Sequence, residues 1–140
     1  MCWELFLFMQ ESSKQIVLKI IERINPSSIL DVPCGDGWLS KKIKKTIQID
    51  GIDLYGEEAL GYREWRKFNL EDGLPSDLGA YDCIVSCEGI EHIGNPELFL
   101  RTAYTHLNHG GTILLTSPNV WYHKQNYSIF LGDFSLVSLV

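Results

Sequence analysis

Long apolar runs are missing from this chain. No stretch approaches the ~20 consecutive apolar residues that a bilayer-spanning helix needs, so no membrane span is expected. The apolar opening, residues 1–9, is short and is interrupted by Glu4. It also lacks the basic start and small-residue cleavage site of a secretory leader. It is left open between a docking segment and an irregular piece of a truncated or mis-started chain. Cysteine is sparse: Cys2, Cys34, Cys83 and Cys87 form no CxxC pair. That spacing offers neither a zinc site nor a disulfide framework, and reduced thiols in a cytoplasmic protein are the expectation. Cys83 and Cys87 fall on one face of a strand, where small thiols pack as apolar groups. Basic residues are few, 12 Lys and Arg against 18 Asp and Glu, for a net charge of −6. A nucleic-acid surface as the main feature is therefore not expected, although a local basic patch is not excluded. Repeats, low-complexity tracts and linkers are absent too. What is there is 140 residues of globular composition, enough for one domain with its own core.

Hydrophobic periodicity lays the elements out in alternation. Ile16, Val17, Ile20, Ile21 and Ile24 share a helical face that starts at Ser12 or Ser13 and stops at Asn25-Pro26. Strands are expected at 29–32, 47–54, 65–68, 80–86 and 112–116. Helices are expected at 38–45 and, behind the cap Asn95-Pro96, from 96 to about 107, ended by Gly110-Gly111. Lys41, Lys42, Lys44 and Lys45 are read as a solvated helix face, not an anion site. Alternating strands and helices mean right-handed β–α–β units around a parallel sheet, with ligands at the carboxyl ends of the strands.

One stretch concentrates chemistry, Ile29-Leu-Asp-Val-Pro-Cys-Gly-Asp-Gly-Trp-Leu39. A strand ends in Asp31, passes through a glycine-bearing turn and opens a helical pattern. Gly35 and Gly37 can take positive φ and let the backbone approach a ligand, and the next helix is expected to point free N–H groups at it. The Asp31 carboxylate would repel a pyrophosphate and suits a ligand with an amino group or another positive centre. A second acid, Asp53, stands at the next strand end, at about the 20-residue spacing that suits hydrogen bonds to ribose hydroxyls.

These residues resemble the glycine-rich motif of the class I S-adenosylmethionine-dependent methyltransferases, with Pro33 in place of the usual first glycine. Two later stretches resemble the same family: Tyr81-Asp-Cys-Ile-Val-Ser-Cys-Glu-Gly-Ile-Glu-His-Ile93 and Asn108-His-Gly-Gly-Thr-Ile-Leu-Leu-Thr-Ser-Pro-Asn119. Together they suit its small-molecule and quinone-biosynthesis members. The resemblance implies a Rossmann-like α/β fold, an open parallel sheet with helices on both faces and strand order 3-2-1-4-5. It implies S-adenosylmethionine as methyl donor, S-adenosylhomocysteine as product and a small-molecule acceptor. The implied donor site comprises Asp31, Pro33, Cys34, Gly35 and Gly37 around the methionine part and Asp53 with Leu54 at the ribose. Asn69 and Leu70 would lie against the adenine, and Cys87 near the sulfonium end. Asn69 stands where the family often has Asp.

His92 admits two readings, a general base or a residue that shapes its loop and packs against the site; the second is adopted. His106 and His109 are read as a helix end, since two ligands without a third make no metal site. Trp121, Tyr122, His123 and Tyr127 are acceptor-pocket or packing residues. Two other functions stay open, a nicotinamide-dependent oxidoreductase using Gly35-Asp-Gly-Trp-Leu-Ser40, and a non-catalytic cofactor-binding or scaffold protein. The family carries seven strands, the last two an antiparallel hairpin against the fifth. Only five are counted here. The tail offers a short helix at 125–131 and one strand at 134–140. The expectation is thus an incomplete domain whose fifth strand has an open edge, prone to self-association.

Overall fold

The computed structural model describes residues 13–55, 61–118, 127–131 and 135–137, with Pro118 and the last two stretches described by backbone alone. α1 (Ser13–Ile24) forms on the expected apolar periodicity and buries Ile16, Val17 and Ile21. Asn25 ends it in the left-handed region (φ 49°), donating its N–H to the Ile21 carbonyl at 2.8 Å. Seven strands follow: β1 (Ser28–Asp31), β2 (Gln48–Asp53), β3 (Trp65–Lys67), β4 (Tyr81–Cys87), β5 (Leu107–Pro118), β6 (Tyr127–Leu131) and β7 (Ser135–Val137). They make one sheet in the order β3-β2-β1-β4-β5-β6-β7. The first five are parallel and run 3-2-1-4-5, as expected.

The end of the sheet corrects two expectations. β6 runs antiparallel to β5, pairing Leu114 to Pro118 with Leu131 to Tyr127, and β7 runs antiparallel to β6. A terminal hairpin is therefore present, and the helix expected at 125–131 is a strand over Tyr127–Leu131. An antiparallel pair needs only a short connection, so fewer residues suffice than a count based on crossovers allows. β6 also covers the edge of β5 that was expected to lie open, which removes the basis for self-association there.

Each face of the sheet carries its own core. On one face α1 brings Val17 and Ile21 against Ile29, Ile49, Cys83, Val85 and Leu114, with Cys87 packed alongside; Cys83 and Cys87 share that face as read. On the other, α2 (Pro96–Thr105) buries Phe99 and Ala103 against Leu30, Ile52, Ile84 and Leu115. Fully burying a side chain such as Phe99 contributes ~2–3 kcal/mol. Asn95 caps α2 by accepting from the Leu98 N–H at 3.1 Å. The helix stops at His106, before the glycines expected to end it. Gly110 (φ 76°) instead lies within β5, where the register shifts between the Tyr81 and Cys83 pairings.

The helix expected at 38–45 is a run of turns. The Gly37 carbonyl receives the Ser40 hydroxyl at 2.9 Å, while the Lys41 N–H reaches it only at 3.4 Å. A side chain that takes an i−3 carbonyl in this way competes with the helical ladder. The four lysines are exposed, consistent with a solvated role. No described helix is long and apolar enough to cross a membrane.

Candidate functional site

The carboxyl ends of β1 and β2 bring the glycine-bearing loop and both strand-end acids together. Beyond Asp31 the chain is pinned between neighbouring strands. The Val32 N–H donates to the Val85 carbonyl and the Cys34 N–H to the Ile52 carbonyl, both at 2.9 Å. The Val32–Pro33 peptide is cis, and the Pro33 ring lies so close to Gly89 that a Cβ there would meet Pro33 Cδ at 2.3 Å. Gly35 then donates its N–H to Asp53 Oδ2 at 2.8 Å, and the Tyr55 N–H reaches Asp53 Oδ1 at 2.8 Å. Asp53 thus ties the loop to the end of β2. Each of its oxygens retains a lone pair for a further donor. Among the described residues nothing lies within 4 Å of where a Cβ on Gly35 (φ 54°) would stand. Gly37 (φ 76°) is buried and closes the turn back to the Cys34 carbonyl at 3.1 Å. With residues 38–45 in turns, the row of free N–H groups expected from a following helix is not formed.

Asp31 is fully buried. Its Oδ2 accepts from the Tyr62 hydroxyl at 2.6 Å, while Oδ1 has no hydrogen-bond partner among the described residues. Burial pushes its pKa up to about 7 against the Tyr62 hydrogen bond, and the nearby Asp53 and Asp36 carboxylates raise it further. A carboxylate so placed fits a ligand that brings a positive centre. Burial likewise pushes the Cys34 thiol up to about 12, so it is no nucleophile near neutral pH.

The remaining site residues divide. Leu54 is half-buried just past Asp53. Asn69 uses its side-chain oxygen to cap a 3-10 turn, accepting from the Glu71 N–H at 3.2 Å. The Leu70 side chain belongs to the apolar core. Cys87 is half-buried at the end of β4 and accepts from the Thr116 hydroxyl at 3.2 Å. The His92 backbone shapes a 3-10 turn, donating to the Gly89 carbonyl at 3.0 Å. Its ring is 80% exposed, 3.9 Å from the Glu91 carboxylate, so the expected packing against the site is not found. His106 caps α2 and places Nδ1 3.1 Å from the Gly79 carbonyl, the helix-end role expected. Among the described residues no three His, Cys, Asp or Glu side chains are grouped to hold a metal. Trp121, Tyr122, His123 and the side chain of Tyr127 lie outside the described residues.

Tyr62 was missed by the sequence reading. Its signal was Gly51, a glycine inside a buried strand, which marks a place where something lies close over the backbone. A Cβ on Gly51 would stand 3.1 Å from two atoms of the Tyr62 ring and from Cys34 Sγ. A polar cleft of about 470 Å³ opens elsewhere, at the amino ends of the strands beside Ser28, Gln48, Arg63, Tyr81, Asp82 and Asn108. In parallel α/β sheets the chemistry lies at the carboxyl ends, where Asp31 and Asp53 are.

A family profile described as a methyltransferase domain matches residues 6–129. The chain belongs to the methyltransferase domain family. The match decides against the nicotinamide alternative. This methyltransferase domain is 30% identical over 118 residues to the mitochondrial ubiquinone biosynthesis O-methyltransferase of Rattus norvegicus, covering 74% of the chain and 33% of that protein. It is 28% identical over 102 residues to the ubiquinone biosynthesis O-methyltransferase of Xanthomonas oryzae pv. oryzae, covering 65% and 43%. The domain thus spans less than half the length of these relatives. Among solved structures, the plantazolicin methyltransferase BpumL in complex with a triazolic desmethylPZN analog and SAH aligns at TM-score 0.58 and 26% identity, over 67% of this chain and 40% of that one. An S-adenosylmethionine-dependent methyltransferase from Clostridium acetobutylicum aligns at TM-score 0.63 and 17% identity, over 92% and 69%, and speaks for the fold.

Proposed function

We propose that this methyltransferase domain binds S-adenosylmethionine and transfers its methyl group to an oxygen nucleophile on a small molecule. Asp31 carries the reading: a fully buried carboxylate with one oxygen unpartnered among the described residues, beside a loop with no described atom over Gly35. A buried anion without a partner is costly, and the ammonium or sulfonium centre of a ligand would offset that cost. Asp53 would accept from the ribose hydroxyls, with Gly35 and Gly37 bringing the main chain alongside. Pro33 and Cys34 would shape the loop, Leu54 would lie beside Asp53 at the ribose, and Asn69 and Leu70 would border the adenine. Cys87 would face the sulfonium end. Bound there, the donor supplies a methyl group already activated by positive charge. The protein's part is to hold donor and acceptor in line and keep water out. Oxygen as the accepting atom is suggested by the names of the rat and Xanthomonas relatives.

Calorimetric titration with S-adenosylhomocysteine, run beside NAD, tests the donor site: saturable binding of the first alone is expected. Transfer of a labelled methyl group to a panel of phenols and other hydroxylated small molecules then tests the reaction. Absence of S-adenosylhomocysteine binding would end the reading. Binding without transfer to any acceptor would favour a non-catalytic role.

A further inference from the structure

Tyr62 lies just before β3 and lays its ring over Gly51 of β2, where the missing Cβ makes room. Its hydroxyl reaches Asp31 Oδ2 at 2.6 Å, and Asp31 Oδ1 is left buried without a partner among the described residues. We propose that Tyr62 is a positioning residue for the donor site: it fixes the Asp31 carboxylate through one oxygen and so reserves the other for the cationic centre of the ligand. The proposal rests on the donor-site reading and extends it to a residue outside the glycine-rich loop.

Three features of the contact support it. A phenol donating to a carboxylate at this distance makes a short, charge-assisted bond that also sets orientation. The Tyr62 hydroxyl is held protonated, its pKa raised by burial and by the Asp31 charge, so it donates across the working pH range. The bond is also the strongest influence that keeps Asp31 ionisable in its buried place. The charged and titratable groups facing Asp31 are otherwise Asp53 from β2, Asp36 from the loop, the Cys34 thiol, the Cys87 thiol at the end of β4 and, favouring ionisation, Lys14 from α1. Removing the hydroxyl therefore moves Asp31 toward its neutral form, which has no charge to offer a cation.

Tyr62→Phe keeps the ring on Gly51 and deletes only the donor. The Asp31 carboxyl is followed by carbon-13 NMR in the free protein from pH 4 to 9, its signal assigned with Asp31→Asn. Binding of S-adenosylhomocysteine is measured over the same range. The Asp31 midpoint is expected to rise by about one unit in Tyr62→Phe, and affinity at pH 7 to fall about fivefold as the ionised fraction drops, recovering to within about twofold at pH 9 as Asp31 ionises. An unmoved midpoint, or an affinity loss equal at every pH, overturns the positioning role, since a loss of packing would not depend on pH. Failure of the unaltered protein to bind at any pH removes the donor-site reading, and the ligand half of the proposal with it. The free-protein titration distinguishes the two failures.

Discussion

Replacing Asp31 by Asn should make the ligand-free protein more stable at pH 8 while abolishing its use as a donor site. Burial carries the Asp31 carboxyl from its ordinary 3.8 to about 7. At ~1.4 kcal/mol per unit, ionising it inside the fold costs roughly 4 kcal/mol more than ionising it in the unfolded chain. The sign follows from proton counting. Between about pH 4 and 7 the native state holds the extra proton, so stability falls as pH rises through that window and levels off above it. An amide at this position accepts from Tyr62 through its oxygen and never ionises, but its own N–H groups stand where Oδ1 has no partner, a cost of ~1–3 kcal/mol. The expected net gain over the unaltered protein at pH 8 is about 1–3 kcal/mol, shrinking toward pH 5. Urea denaturation of both proteins at pH 5 and pH 8 reads it directly. Other titrating groups are common to both, so the difference isolates Asp31. A variant that is less stable at pH 8 and keeps the full pH slope would refute the account of Asp31 as a strained buried anion.

Four further outcomes are expected. Asp53→Ala should weaken S-adenosylhomocysteine binding by about 1–3 kcal/mol by calorimetry, through loss of charged acceptors; unchanged affinity would displace the ribose site. Gly35→Val should weaken binding more than Asp53→Ala and lower stability on denaturation by ~1–2 kcal/mol, because its φ of 54° is costly for an L residue. Phe99→Ala should cost ~3–5 kcal/mol on denaturation, since Phe99 is fully buried between α2 and the sheet. Once an acceptor is known, His92→Ala at saturating donor should lose less than the ~10²-fold that removal of a true general base costs, because its ring is exposed.

The central part of the fold was legible because it follows from period and punctuation. Val17 and Ile21 announce a helix face, 29–32 and 80–86 read as strands and fold within a residue of those bounds, and Asn95-Pro96 marks a helix start. What was misread depends on competition between local bonds or on long-range pairing. Ser40 takes the carbonyl that a helix at 38–45 would need. The helical pattern at 125–131 yields to pairing with β5, which no local window shows. That the strand-end acids and the loop glycines come together was legible because strand ends are predictable, and Gly35 indeed donates to Asp53. Tyr62 was not, because it reaches Asp31 from 31 residues away, and only the glycine beneath it carries a trace. His92 looked like a site residue by type and neighbourhood, yet its ring turns out to solvent.

The segment that carries Tyr62 is moored from behind. Arg63, the next residue, grips Asp50 with Nε at 3.0 Å and Nη2 at 2.5 Å, and Tyr81 holds the same carboxylate at 2.9 Å. The Arg63 N–H and the Glu64 carbonyl are also bonded to β2. Asp50 and Gly51 are adjacent residues of β2 and face opposite sides of the sheet, so the grip on one side steadies the tyrosine that lies over Gly51 on the other. The acidity of Asp31, the carboxylate proposed to meet the ligand, would then be adjustable from a position outside the proposed donor site. A lineage could retune the working pH of such a domain by altering Asp50 or Arg63, leaving every contacting residue as it was.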